Sequence, residues 1–371
     1  MPESNVLLVS CGKRKSNVTC KAKDMYNSCR FQTLKMIAET NNIKWHIMSA
    51  KYGLLSPNEI IDPYDLCITD CSSEYKKQWA AKMLKTLSIY SKDTHFIVAA
   101  NSDYAQHIVP ALVNKGYKVS APFIDKDESA VLDYIKNASH VADAMELYDC
   151  IYRMAEETGG VRTFNECTGK MYWPQRGVYF FVDFNERSIL SEGHPRIVRI
   201  GTHAISAGSK TTLWHRLKTH KGTIQGDGNH RGSIFRLHVG NAIIKKEGLL
   251  CDTWGMGQNA SKEIREREKY IEHMVSDYIG QLGVIVLDVD DMPAATSVRA
   301  FVEKNSIALL SSTNSSFNFS TTDWLGNYSS RAEITGSCLW NINYINADYD
   351  GGLLERLWRY AEITTRNYKI K

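Results

Sequence analysis

The chain has 371 residues, a formal net charge of +4 and an ordinary globular composition, with 43% hydrophobic and 23% charged residues. That length exceeds the size at which single cores usually stop growing, so two domains are expected. It has no run of about 18 apolar residues and no signal-peptide pattern at its start, which predicts a cytoplasmic protein. Its nine cysteines form no CxxC pair and no Cys/His quartet, which argues against a disulfide framework and a structural zinc site.

Asn5 to Ser10 (NVLLVS) reads as a buried parallel strand, ending in Cys11-Gly12-Lys13-Arg14-Lys15. A glycine and three cations just past a strand's carboxyl end lie where open α/β sheets bind ligands, and they could hold an anion or form only a basic turn. Asp24 to Thr40 has roughly helical spacing, and Lys44 to Met48 reads as a second strand. Ser73 to Ile89 predicts a helix, Thr94 to Ala99 a strand, Asp103 to Asn114 a helix and Tyr117 to Ala121 a fourth strand. This alternation predicts a three-layer domain built on a parallel sheet over about residues 1–125.

The segments VSCGKRK, DMYNSCRF, MSAKYGLL, DPYD and NSDYAQ resemble a small α/β domain of unassigned function found beside nucleic-acid-modifying enzymes. At a distance they are similar to the core of archaeosine synthase, whose wider group shares a uracil-DNA-glycosylase-like sheet. The resemblance covers about residues 5–122 and implies a nucleobase or nucleotide pocket. Its candidate residues are Cys11, Lys13, Lys15, Lys51, Tyr52, Asp62, Tyr64, Asp65, Asn101 and Tyr104. Asp62 or Asp65 would act on a glycosidic bond, the tyrosines and Asn101 would hold a base, and Cys11 or Lys13 are alternative nucleophiles. The duller account makes Asp-Pro-Tyr-Asp a turn and the tyrosines packing residues.

Apolar positions from Ser129 to Glu157, closed by Thr158-Gly159-Gly160, predict a helical connector over 126–160. Beyond it, Gly177 to Phe184 (GVYFFVDF) and Arg196 to Ile200 (RIVRI) read as a hairpin. Thr211 or Thr212 caps a helix carrying Leu213, Arg216, Leu217 and His220. A helix from about Ser261 to Leu282, a strand at Gly283 to Val289 and a helix from about Thr296 to Leu309 follow. Arg196 to Lys246 holds ten Lys or Arg against one acid, Asp227, a basic stretch able to neutralise phosphates.

That order of elements resembles the GIY-YIG endonuclease domain, a small-sheet α/β fold, over roughly 172–318 within a C-terminal domain of 161–371. Gly177-Val178-Tyr179 stands for the first motif and Arg199-Ile200-Gly201 for the second. The resemblance makes Arg216 the catalytic arginine, Glu303 the metal-binding carboxylate and Asn314 the asparagine that closes the core. Arg199 replaces the family's second tyrosine, and His203 is a candidate substitute base.

The chemistry needs a base, a cation on the phosphate and a metal. Tyr179 or His203 would activate water, Arg216 would bind the phosphate, and Glu303 would hold Mg²⁺ or Mn²⁺. Arg199, Lys218, His220, Arg231 and Asn314 are candidates for nucleic-acid contact, with DNA the expected partner. The Ser-, Asn- and aromatic-rich stretch after Asn314 would either stack bases or anchor an irregular loop. The expected function is a metal-dependent DNA endonuclease directed by a base-reading N-terminal domain. A non-catalytic DNA-binding protein and a base-modifying or glycosidic enzyme are the alternatives.

Overall fold

The computed structural model describes residues 5–12, 14–124, 126, 130–131, 140–191, 194–223, 226–314 and 317–370. The chain divides into two compact units. The first comprises 1–142 with 187–193 and 319–322, and the second holds the remainder.

In the first unit the strands are β1 (Asn5–Ser10), β2 (Cys20–Lys21), β3 (Trp45–Ser49), β4 (Gly53–Leu55), β5 (Ile60–Ile61), β6 (His95–Ala99) and β7 (Lys118–Ser120). Five of them form a sheet in the order β4-β3-β1-β6-β7. Both neighbours of β1 run parallel to it, with Leu8 opposite His46 on one side and Val98 on the other. The apolar run Val6–Val9 is wholly buried, as a strand covered on both faces requires. One edge departs from the expected parallel sheet, because Gly53 at φ +83° turns the chain back and β4 pairs antiparallel with β3.

The helices here are α1 (Ala22–Met25), α2 (Cys29–Thr40), α3 (Ser73–Leu87) and α4 (Ser102–Asn114). The single helix expected over 24–40 is thus two pieces. Tyr26 is extended, and the Ser28 hydroxyl restarts the helix by accepting from the Phe31 amide at 3.3 Å. The core joins Val6, Leu8, Phe96 and Val98 to Trp79 and Tyr104.

The second unit contains β8 (Arg162–Thr163), β9 (Gly177–Arg187), β10 (Pro195–Gly201) and β11 (Gly283–Asp288), in the order β10-β9-β11-β8. Seven consecutive residues of β9 and all seven of β10 are buried, so helices must cover both faces of this small sheet. They are α5 (His140–Glu157), α6 (Leu213–Lys221), α7 (Ile234–Glu247), α8 (Lys262–Gln281), α9 (Val298–Leu310), α10 (Ala332–Ser337) and α11 (Leu353–Ile370).

Two sequence expectations change here. All but three residues of α5, expected within a connector, belong to the second unit. There the Tyr148 hydroxyl accepts from the Ile197 amide at 2.8 Å, and Tyr152 donates to the Pro195 carbonyl at 2.7 Å. Helix α7 was not foreseen. It buries Phe235, Arg236, His238, Val239, Ala242 and Ile243 around most of its circumference, so its sequence lacks the apolar stripe that betrays a surface helix.

Candidate active site

The two motif glycines sit where no side chain fits. A Cβ on Gly177 would lie 2.3 Å from the Leu287 carbonyl of the neighbouring strand, and one on Gly201 only 2.2 Å from Tyr179 Oη. Gly177 thus lets β9 close on β11, and Gly201 leaves room for the Tyr179 hydroxyl.

Tyr179 is 1% exposed, and its Oη lies 3.0 Å from His220 Nε2. His220 Nδ1 in turn lies 2.8 Å from Ser233 Oγ. Ser233 caps α7, its Oγ also accepting from the Arg236 amide at 3.3 Å. Burial, then the charges of Arg199, Arg216 and Arg236, hold the His220 pKa well below its ordinary 6.5, so the imidazole is neutral and carries one N–H.

Helix α6 supplies both His220 and Arg216. Thr212 starts it by accepting from the His215 amide at 3.2 Å, and Gly222 at φ +80° stops it. Leu213 and Leu217 bury its inner face, and the spacing of four places Arg216 one turn before His220. Among the described residues the Arg216 guanidinium has no hydrogen-bond or ion-pair partner. Its charge nevertheless acts on Glu303, His220 and His203 together. It borders two hollows of about 670 Å³ and 460 Å³; Lys218 also lines the larger.

Glu303 projects from α9, and its Oε1 accepts from the Thr202 amide at 3.0 Å. The Thr202 hydroxyl donates to the Gly177 carbonyl at 2.8 Å, tying the carboxylate to both motif strands. Burial pushes the Glu303 carboxyl above its ordinary 4.5, against the Thr202 amide and the Arg199 and Arg216 charges. Among the described residues Oε2 has no hydrogen-bond partner. No three His, Cys, Asp or Glu side chains converge among the described residues. A divalent cation here would have the Glu303 carboxylate as its protein donor, a hard oxygen of the kind such ions take.

A family model described as "GIY-YIG domain" matches residues 138–367. The chain belongs to the GIY-YIG family. A second model, described as a family of unknown function (DUF6884), matches residues 6–137 and assigns no activity to them. No curated protein and no solved structure matches the chain. A GIY-YIG nuclease implies a nucleic-acid substrate, and such nucleases generally depend on a divalent metal. No described helix is long and apolar enough to cross a membrane.

Several residues expected to touch nucleic acid have other partners within the GIY-YIG unit. Arg199 is 8% exposed, donates from Nη1 to the Trp340 carbonyl at 2.6 Å and lies over the Phe235 ring. Arg231 grips Glu268 at 2.6 and 2.9 Å. His220 is fully buried against Tyr179. Asn314 donates to the Ala308 and Ala347 carbonyls at 2.7 and 3.1 Å, closing the fold. Lys218 alone of these is exposed. His203 is 5% exposed beside the Gln175 carbonyl, and burial with the Arg299 charge pushes its pKa down to about 4. Arg299 binds the carbonyls of His203 and Ala204 and pairs with Asp291, holding Ala204 at φ +53°.

Sequence reasoning missed the Ser233 and Arg236 support beneath the site. Arg236, fully buried, donates to Glu272, Ser276 and the His220 carbonyl. The arginine-to-histidine spacing of four was the available signal for the Tyr179 contact. Phe317, Phe319, Trp324 and Trp340 are buried anchors after Asn314, whereas Tyr344 is 44% exposed.

The N-terminal candidates fall into two groups. Cys11, Lys15, Asn101 and Tyr104 line one cleft, of about 570 Å³. Lys51, Tyr52, Asp62, Tyr64 and Asp65 do not line it. Tyr64 shares hydrogen bonds with Ser49 and Tyr26 at 2.8 and 3.0 Å, and Lys15 and Lys51 lie over its ring. Asp62 is exposed and accepts from Thr19, while Asp65 is exposed in the loop. Lys13 lies outside the described residues.

Proposed function

We propose that the C-terminal unit is a metal-dependent endonuclease acting on DNA, with the N-terminal unit reading a nucleotide that directs where the strand is broken. A role in repair, restriction or defence against foreign DNA would use such a pairing. The observation that carries the reading is the Arg216 guanidinium, without a partner among the described residues, its charge acting on Glu303 and its place one helical turn before the histidine that holds Tyr179. Buried Arg199, Arg231, Arg236 and Arg299 all have partners, so a free cation at this position is poised for a phosphate.

In this reading Tyr179, its own phenol proton first released to solvent, takes up at Oη a proton from the attacking water. His220 stays neutral, donating from Nε2 to that oxygen, while the Ser233 hydroxyl donates to Nδ1 and so selects the tautomer. Arg216 binds the non-bridging phosphate oxygens and offsets the charge that gathers on them. A divalent cation bound at Glu303 supplies polarisation of the phosphate and stabilisation of the leaving oxygen.

The test is incubation of supercoiled plasmid with the protein, with Mg²⁺ or Mn²⁺ against chelator. Metal-dependent nicking that disappears in Glu303→Ala and Arg216→Ala supports the assignment, and nicking that survives both removes it. Arg199 favours a second reading, as a DNA-binding protein without catalysis, because its guanidinium stands at the family's second tyrosine and cannot transfer a proton. DNA binding that persists in chelator, with no cleavage of any DNA under any metal, would select that reading.

A further inference from the structure

The first unit carries a cleft whose position and lining point to a ligand of its own. The chain passes from β1 to β3 on one side and later enters β6 on the other, so the strand order reverses between β1 and β6. Residues just past the carboxyl ends of these two strands, Cys11 and Gly12 after β1 and Asn101 after β6, line the cleft of about 570 Å³. A crevice at such a reversal is where open α/β sheets leave room for a ligand. The volume is within the range of small-molecule sites and larger than an inorganic anion needs.

The lining has two chemically distinct parts. Arg14, Lys15, Arg30 and Lys126 bring positive charge, Arg30 donating to the Ala99 carbonyl at 3.2 Å, with Asp103 the one acid among the described lining residues. Arg14 is exposed and has no side-chain partner among the described residues. Asn27 and Ser28, at the start of the 12-residue α2, lie on the same wall. Gly12 is pressed against them, since a Cβ there would meet Ser28 Oγ at 2.6 Å. Backbone and cations together make one end of the cleft suited to a phosphate.

The other part reads hydrogen bonds. Asn101 precedes α4 without capping it, and its amide nitrogen donates to Asp103 at 3.2 Å. Its Oδ1 has no hydrogen-bond partner among the described residues, an unusual state for a buried acceptor at a cleft wall. Tyr104 Oη lies 3.0 Å from Cys11 Sγ, and burial keeps that phenol protonated far above its usual range. Leu66 and Phe31 add apolar surface to the lining.

We infer that this cleft binds a nucleoside 5′-phosphate, its phosphate toward Arg14 and the α2 start and its hydrogen-bonding body toward Asn101. The ligand is either a free mononucleotide or the 5′-phosphorylated end of a strand. The proposal deepens the nucleotide-reading role given above to the N-terminal unit but does not depend on cleavage by the C-terminal one.

Cys11 and Cys67 both line the cleft and are half-buried, whereas Cys20 and Cys251, equally half-buried, lie elsewhere. Alkylation of the full chain by N-ethylmaleimide, read peptide by peptide, therefore reports occupancy with internal controls. The reaction is run in chelator, so that strand cleavage does not intervene. The probes are the nucleoside 5′-monophosphates, the matching nucleosides, inorganic phosphate, and an oligonucleotide with a 5′-phosphate or a 5′-hydroxyl. A monophosphate or the 5′-phosphorylated oligonucleotide should slow Cys11 and Cys67 while leaving Cys20 and Cys251 unchanged, and which of the two does so identifies the source. Arg14→Glu should raise the required concentration by about tenfold or more. Protection by no probe, equal protection by phosphate alone, or protection indifferent to Arg14→Glu would overturn the proposal. Equilibrium dialysis of labelled monophosphate decides the matter if Cys11 proves unreactive.

Discussion

Tyr179 Oη and His220 Nε2 meet at 3.0 Å between two buried side chains, and Gly201 exists as glycine because that hydroxyl occupies its side-chain space. Removing the hydroxyl with Tyr179→Phe should therefore lower single-turnover cleavage by about 10²-fold or more while leaving DNA binding in place. Gly201→Ala should be as damaging to cleavage, because the added methyl displaces the ring. Full activity in Tyr179→Phe with loss in His203→Ala would transfer the proton to His203 instead.

The pH dependence of cleavage follows from the depressed His220 pKa. Because burial and three arginines keep the imidazole neutral, it gains no proton as the pH is lowered through 6.5. The rate measured from acid to alkaline pH should show no break around that value, which an ordinary exposed histidine would produce. Ser233→Ala should cost about 1 kcal/mol as a lost helix cap and also slow cleavage, since the His220 tautomer is no longer selected. Cleavage unchanged by Ser233→Ala would leave this serine a cap and nothing more.

Glu303 and Glu272 should respond to pH with opposite signs. The Glu303 carboxyl is raised above 4.5 in the fold, so its contribution to stability falls as pH climbs through 4.5 and the folded value. In metal-free solution Glu303→Gln should melt higher than the parent at neutral pH, the gap closing in acid, and only the parent should gain from Mg²⁺. Burial would raise Glu272, but bonds from His230 and Arg236 outweigh it and hold it below 4.5. Its contribution is present above 4.5 and is lost as pH falls through the folded value. Glu272→Ala should cost about 3–5 kcal/mol at neutral pH, read by denaturant unfolding, because it strands the buried Arg236.

Arg216 and Arg199 should separate function from stability. Arg216→Ala removes no internal partner and should stay within about 0.5 kcal/mol of parent stability while losing about 10²-fold or more in cleavage. Arg199→Tyr, which restores the family's usual residue, should cost about 2–4 kcal/mol, since it leaves the Trp340 carbonyl unbonded and vacates the space over Phe235. A stable Arg199→Tyr variant would refute the anchoring role.

Much of this was legible in the sequence where local pattern and physics agree. The buried strand at Asn5–Ser10, the capped helix carrying Arg216 and the helix carrying Glu303 all announce themselves by periodicity and caps. What stayed hidden depends on partners far along the chain. Arg199 and Arg231 look like phosphate ligands until Trp340 and Glu268 come up against them, 141 and 37 residues away. Helix α7 hid because its arginine and histidine face inward, inverting the polarity rule that finds helices. The N-terminal candidates separated for the same reason: Tyr64 is claimed by Ser49 and Tyr26, leaving Asn101 and Tyr104 to the cleft.

Strand β10 lies at the border of its sheet, yet little of its outer side is open. Trp340 donates its amide to the Val198 carbonyl at 2.7 Å, and Asn341 binds both the amide and the carbonyl of Ile200. Tyr148 takes the Ile197 amide, and the Arg196 and Arg199 side chains bind the Cys338 and Trp340 carbonyls. A strand sealed in this way offers no template for recruiting another chain by backbone pairing. The segment around Trp340 thus acts as a molecular selvage, and cutting it away should convert the protein from a species that refolds cleanly into one that aggregates through β10.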